Sequence, residues 1–320
     1  MLNHSSIIFI LSILTMILNI NAAISQEFPN RLIRIITGGA GGGNDVAARL
    51  VAQGLTTSMG QQVIVENRPS GVIPGETVAK APPDGYMILL AGSGFWIGHL
   101  IQSVPYDPVK DFSPITLATS TPAVLVVHPS LPVKSVKELI ALAKARPGEL
   151  NYSMGSIGSS PHLAAELFKS MAHVNIMRIS YRSSSLQQAD LLGGQTHMMF
   201  GSTGSVGAQI KAGRVRALAV TSAKPSVLLP GVPTIAASGL PGYESVQALA
   251  IFAPAKTPEA IMQRLNQEIV RVLNRPDVKE KFLNAGLEPV GTSQEQLGAM
   301  IQSEMTRMGK VIREAGIKAE

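Results

Sequence analysis

The chain contains no cysteine, a single tryptophan and few aromatic residues of any kind, 4% of its 320 residues. The missing thiol excludes disulfide scaffolds, thiolate nucleophiles, cysteine zinc sites and iron–sulfur clusters. Sparse aromatics, with basic residues scattered among acids, argue against a nucleic-acid surface. Charge is scarce too, at 15%, whereas hydrophobic residues reach 45%. That balance excludes a disordered chain or a coiled coil and predicts buried cores. The 27 Lys and Arg against 21 Asp and Glu leave a net +6, a lean toward anionic partners.

Charge is absent altogether from Met1 to Ser25. The apolar run Ile7 to Ile20 is shorter than the roughly 20 residues of a membrane span, and it suits the core of a secretory signal. Small residues follow, so residues 1–25 are expected to be a signal peptide, with cleavage after Ala22, Ala23 or Ser25. An uncleaved anchor is the rival reading. No later run is long enough to span a membrane, and export of the mature chain is expected.

From Arg31 onward, short β-branched or aliphatic runs alternate with longer amphipathic stretches. Strands are predicted at Ile33–Ile36, Gln62–Glu66, Met87–Ala91, Ala123–Val127, Asn151–Met154, Ile176–Tyr181, Met198–Phe200, Val215–Val220 and Ala248–Ala253. Helices fall between them, for example Val136–Ala145 after the cap Ser135 and Ser184–Leu192, and two or three more complete the chain after Pro258. The alternation predicts α/β layers around a largely parallel sheet.

Five loops rich in small residues stand where a strand ends and a helix begins. The first is Gly38-Gly39-Ala40-Gly41-Gly42-Gly43, with Asn44-Asp45 offered as helix cap. It fits neither the dinucleotide fingerprint nor the phosphate loop, which needs Lys-Ser/Thr. What remains is close backbone approach and free helix N–H groups, the chemistry of an anion or carboxylate site. The others are Gly92-Ser93-Gly94-Phe95-Trp96, Ser153 to Ser160, Tyr181-Arg182-Ser183-Ser184-Ser185 and Gly201-Ser202-Thr203-Gly204. Open α/β sheets bind ligands at the carboxyl ends of their strands, which is where these loops lie. Trp96 would then report on a ligand. Catalytic chemistry is thin. The G-x-S-x-G elbow is absent, His162 suits a neutral or capping role, and the six histidines form no i, i+4 metal pair. No cofactor, metal or enzymatic activity is expected.

With these loops in view, the chain resembles the extracytoplasmic solute-binding receptors of tripartite tricarboxylate transporters, the TctC-like or Bug proteins. The resemblance rests on Pro29 to Ile36 with Gly41-Gly42-Gly43-Asn44-Asp45, on Val65-Glu66-Asn67-Arg68-Pro69 and on Lys80 to Tyr86. It continues through Pro105 to Phe112, Pro147 to Ser153, Gly158 to Leu163, Asp190 to Gln195, Arg216 to Thr221 and Leu240 to Glu244. It implies a two-lobed, type II-like periplasmic binding protein of α/β class, each lobe a mixed sheet flanked by helices. Lobe 1 would hold residues 26–124 and 249–320, and lobe 2 residues 125–248. A small organic anion, di- or tricarboxylate-like, would be clamped between the lobes of a monomer and delivered to TctA/TctB-like membrane subunits. A sensing receptor without transport is the alternative.

The implied ligand contacts are Gly41, Gly42, Gly43, Asn44, Asp45, Gly92, Ser93 and Gly94 in the first lobe. In the second they are Ser153, Gly155, Gly158, Ser159, Ser160, His162, Tyr181, Arg182, Ser183, Ser184, Gly201 and Ser202. Three departures from the family pattern bear on specificity. Thr37-Gly38-Gly39-Ala40 replaces a proline- and aromatic-rich approach, which should make the first loop roomier. Tyr181-Arg182-Ser183 replaces Tyr-Lys-Gly. Gly201-Ser202 stands where acids or amides are common, which disfavours an amine-bearing ligand, whereas Arg182 and the net charge favour an anion.

Overall fold

The computed structural model describes residues 28–68, 72–155, 159–181 and 184–317. The expected signal peptide lies outside them. Among the described residues, no helix is long and apolar enough to cross a membrane.

One half of the molecule is built on β1 (Ile33–Thr37), β2 (Val63–Asn67) and β3 (Met87–Gly92), joined by β4 (Phe112–Val127) and β9 (Val246–Pro254). β1 pairs in parallel with β2 and β3, while β9 runs antiparallel to both β3 and β4. The other half holds β5 (Asn151–Met154), β6 (Met177–Ser180), β7 (Met198–Ser202) and β8 (Arg216–Val220). There β5 is parallel to β6 and β7, and β4 is antiparallel to β7 and β8. The full path is β2-β1-β3-β9-β4-β7-β5-β6. The sheet is therefore mixed rather than largely parallel. Long antiparallel strands shared by the halves replace the expected parallel centre.

β4 is the reason. Its first part pairs with β9 as far as Pro122, and from Ala123 onward it pairs with β7 and β8. Proline has no N–H for a ladder, so the strand changes partners at a residue that can donate to neither side. Thr221 secures the exchange. Its hydroxyl accepts the Ala123 N–H at 2.8 Å, and its carbonyl accepts from Ser245 N at 2.9 Å.

The helices follow the amphipathic pattern. α1 (Gly43–Met59), α8 (Glu259–Asn274) and α9 (Pro276–Asn284) cover one face of the first-lobe sheet. Period-two alternation sends Ile33 and Ile35 into this core, with Leu55, Leu265 and Phe282, and turns Ile36 to the opposite core. Gly54 has a packing reason, since a Cβ there would overlap the Val272 side chain. The opposite core runs through both lobes, from Leu89 and Trp96 through Phe252 to Phe168 and Tyr243. α2 (Ile73–Ala79), α3 (Gly94–Ile97), α4 (Val136–Ala145), α5 (Ser160–Ala172), α6 (Ser184–Leu192) and α7 (Thr203–Lys211) fill the crossovers. α10 (Gln294–Glu314) opens with a Ser293–Gln296 capping box and reaches across both lobes. Its Trp96 contact lies in the first lobe, and its Glu314 meets Ser170 of α5 at 3.0 Å.

Candidate functional site

The first glycine loop ends in α1, which starts at Gly43 with Gly42 as its cap residue. Asn44 and Asp45 thus lie inside the first turn, because the helix begins before the expected Asn44–Asp45 cap. Asp45 reaches back instead. Its Oδ2 accepts the Gly41 N–H at 2.9 Å, its Oδ1 accepts Asn67 Nδ2 at 2.9 Å, and Arg49 approaches at 3.0 Å. Asn67 Nδ2 also donates to the Gly38 carbonyl at 2.8 Å. Burial pushes the Asp45 carboxyl up, but the bonds from Gly41, Asn67 and Arg49 outweigh it and hold the group below the usual range. Its side chain is engaged in shaping the loop, which places an ionised acid where the helix dipole favours it. Gly41 itself has φ +83°, a conformation that favours glycine.

The second glycine loop closes β3. Ser93 is buried and its N–H donates to the Ala248 carbonyl at 3.0 Å. Gly92 lies close to Asn44, whose Nδ2 would stand 3.9 Å from a Cβ on that glycine. The two first-lobe loops are thus neighbours. Across the crevice, Ser93 Oγ meets Ser160 Oγ at 3.5 Å, which links the lobes at two of the expected loops.

In the second lobe, Ser153 is the next-to-last residue of β5, Gly155 follows the strand, and Ser159 caps α5 without a side-chain cap bond. Gln187 Nε2 donates to the Ser153 carbonyl at 3.0 Å and fixes the strand end. Gly201 and Ser202 end β7, and Ser202 Oγ caps α7 by accepting from Ser205 N at 3.2 Å. Gly201 is small for packing, because a Cβ would stand 2.6 Å from Val206. Ser160 and Ser202 line one narrow crevice of about 30 Å3 with Thr121, Pro122, Ser245 and Gln247, all at the strand exchange. Thr203 faces the first lobe, where its Oγ1 would stand 3.8 Å from a Cβ on Gly286. The next residue, Leu287, likewise approaches Gly43 at the start of α1. Among the described residues, Ser153 Oγ, Ser159 Oγ and Thr203 Oγ1 are buried with no hydrogen-bond partner. Thr203 was not among the expected contacts, although its place directly after Ser202 at a helix start was a usable signal.

Two further expected residues have partners within the second lobe. His162 is fully buried beside Glu166, at 3.9 Å, and burial lowers its pKa to about 4, so the ring is neutral. Tyr181 donates its hydroxyl to Asp190 at 2.7 Å and its N–H to the Met154 carbonyl at 2.9 Å. Gly158, Arg182 and Ser183 lie outside the described residues, and of Ser184 only its place at the start of α6 is described. Trp96 is a correction. It sits in the short helix α3, fully buried, and its Nε1 donates to Glu304 on α10 at 2.8 Å. The indole is a core group bound to α10 rather than a loop group exposed to ligand.

Among the described residues, no group of three or more His, Asp or Glu could hold a metal ion. The crevice offers backbone N–H groups, serine and threonine hydroxyls and helix N-termini, a donor set suited to oxyanions.

Comparison with known proteins agrees with this architecture. The family model described as "Tripartite tricarboxylate transporter family receptor" matches residues 47–317. The "UPF0065 protein in tcbD-tcbE intergenic region" of Pseudomonas sp. (strain P51) is 38% identical over 92% of this chain and 89% of its own length. "Protein BugT" of Bordetella pertussis is 35% identical, with 99% of each chain covered. The solved structure "R. palustris Rpa4515 with adipate" is 35% identical with a TM-score of 0.74, covering 91% of this chain and 99% of that one. A chain with this fold, this crevice and this match belongs to the TctC family of tripartite tricarboxylate transporter receptors.

Proposed function

We propose that this protein is a non-enzymatic, monomeric receptor that clamps a small organic acid between its lobes in the periplasm and hands it to a membrane transporter. The observation that carries the reading is the set of buried, unpartnered hydroxyls of Ser153, Ser159 and Thr203 beside the strand ends and helix starts of the second lobe. A buried hydroxyl without a partner is costly, and a carboxylate supplies acceptors for several at once. The first lobe would add backbone N–H groups of its two glycine loops. The di- or tricarboxylate class draws support from the adipate in the relative's structure. The lobe boundaries near 124 and 248 draw support from the partner exchange at Pro122–Ala123 and at the start of β9. Ligand would stabilise the closed state by contacts made to both lobes at once, and the transporter would recognise that state. A signalling partner would read the same state.

Calorimetric titration tests the reading on protein unfolded and refolded to remove bound ligand. Succinate, adipate, malate, citrate and glutamate are the probes. Saturable binding of a carboxylate is expected, and ligand at about 100 times Kd should raise the unfolding free energy by about 2.7 kcal/mol. Turnover of a carboxylate ester would instead point to a hydrolase, and flat titrations with unchanged melting would overturn the receptor reading for these acids.

A further inference from the structure

A cavity of about 290 Å3 lies in the first lobe between β3, α2 and α3, bordered by Gly38, Asn44, Gly92 and Gly94 of the two glycine loops. No Asp, Glu, Lys, Arg or His lines it among the described residues; its polar side chains are Asn44, Gln102 and Tyr106. Phe95 and Tyr106 form an aromatic wall, stacked with ring centroids 5.2 Å apart. Burial raises the Tyr106 pKa to about 12, so the phenol is neutral. Gly75 allows that wall, because a Cβ there would stand 2.7 Å from the Tyr106 ring.

Omitted side chains make the space. Gly38, Gly94 and Gly98 all line the cavity, and a Cβ on any of them would meet nothing within 4 Å. Backbone geometry does not demand glycine at Gly98, which has ordinary right-handed angles, φ −56° and ψ −35°. Gly94 and Gly98 are four residues apart, so they share a face at α3 and its continuation.

We propose that this cavity receives the uncharged apolar body of an organic acid whose carboxylate is held at the crevice, selecting aryl and medium-chain carboxylates over short hydroxylated diacids. The inference rests on the carboxylate-receptor reading above and specifies the remainder of the ligand. A second ionised carboxylate inside would have no cationic partner among the lining side chains, which is unfavourable next to the aromatic wall. A ring or alkyl chain gains burial and stacking against Phe95 and Tyr106. The volume is close to the lower end of small-molecule sites, enough for one ring or a short chain.

The test is calorimetry on the refolded, ligand-stripped full chain with phenylacetate, octanoate, succinate and malate, for wild type, Gly98→Ala and Gly98→Leu. Wild type is expected to bind phenylacetate or octanoate at least about tenfold more tightly than malate, a difference of about 1.4 kcal/mol. Gly98→Leu fills the cavity and should reduce that preference by about tenfold or more, with Gly98→Ala intermediate. Circular dichroism and melting establish that each variant is folded. Should the leucine variant fail to fold, the alanine variant decides by the same preference ratio. An unchanged ratio in the folded variants overturns the proposal, as does wild-type binding of succinate or malate without the apolar acids. Binding of none of the acids by wild type overturns the carboxylate reading itself, a distinguishable outcome.

Discussion

The two lobes bring different chemistry to the crevice. In the first, the glycine loops are held from behind: Asp45 accepts from the Gly41 N–H and from Asn67 Nδ2, Asn67 Nδ2 also donates to the Gly38 carbonyl, and Thr37 Oγ1 donates to the Leu90 carbonyl at 2.9 Å. In the second, the hydroxyls of Ser153, Ser159 and Thr203 are buried and unengaged among the described residues. A loop whose supporting side chains already have partners binds without reorganising, whereas one with unengaged hydroxyls gains most when a ligand arrives. Ligand-dependent stability should therefore be carried by the second lobe, and ligand-independent stability of the site by the first.

The largest expected effect breaks the first lobe's side of that contrast. Asp45→Ala removes a charged acceptor from Gly41, Asn67 and Arg49 and should lower the unfolding free energy by about 2–3 kcal/mol. Denaturant titration reads it. Because the folded carboxyl titrates below its unfolded value, its contribution is present above the unfolded pKa of about 3.9 and fades as pH falls through the folded one. The wild-type advantage should therefore shrink below about pH 4, and an advantage that persists unchanged there would mean the loop is held by something else.

The strand exchange comes next. Thr221→Val keeps the shape but leaves the Ala123 N–H without its acceptor, at an expected cost of about 1–2 kcal/mol. Equal unfolding midpoints for variant and wild type would show that Thr221 is dispensable to the strand exchange.

Ser153→Ala acts in the opposite sense. Removing a buried, unpartnered hydroxyl should stabilise the ligand-free protein by about 1 kcal/mol while weakening ligand binding severalfold. Melting without ligand and calorimetry with it separate the two signs. A variant less stable without ligand would mean that the hydroxyl is already engaged, and the asymmetry between the lobes would fall.

Much of this architecture was legible because local chemistry and tertiary packing agree. Ser135 caps α4 by accepting from Glu138 N at 3.2 Å, and that helix spans the residues its apolar spacing predicts. The five small-residue loops were likewise readable as runs between strand and helix. The first half of β4, Phe112 to Thr121, was not. Pro114, two register shifts and a mixture of small polar residues hide its periodicity, and only pairing with β9 makes it a strand. Contacts between distant segments were hidden for the same reason. Asn67 on Asp45, Trp96 on Glu304 and the cavity among Gly38, Gly94 and Gly98 each exist only once the sheet has brought separate segments together.

The smallest effect tests whether the first lobe is as fixed as this contrast requires. Glu304 is a buried acceptor for Trp96, so it holds the helix that follows the second glycine loop. Burial pushes its carboxyl up, and the opposing pull of the Trp96 bond and of Arg307 is smaller, so it titrates above its usual value. The folded state then binds this proton more tightly than the unfolded chain. Its contribution to stability is full below the unfolded pKa of about 4.3 and declines as pH rises through the folded value. Glu304→Gln keeps an acceptor for the indole and removes the decline, so the variant should melt about 1–2 °C above wild type at pH 7 and lose that lead near pH 4. Trp96 emission should follow the carboxyl in wild type and stay flat in the variant. If the acid that fills the crevice also moves that emission, the first lobe's clamp shifts on binding, and the division of labour between the lobes fails.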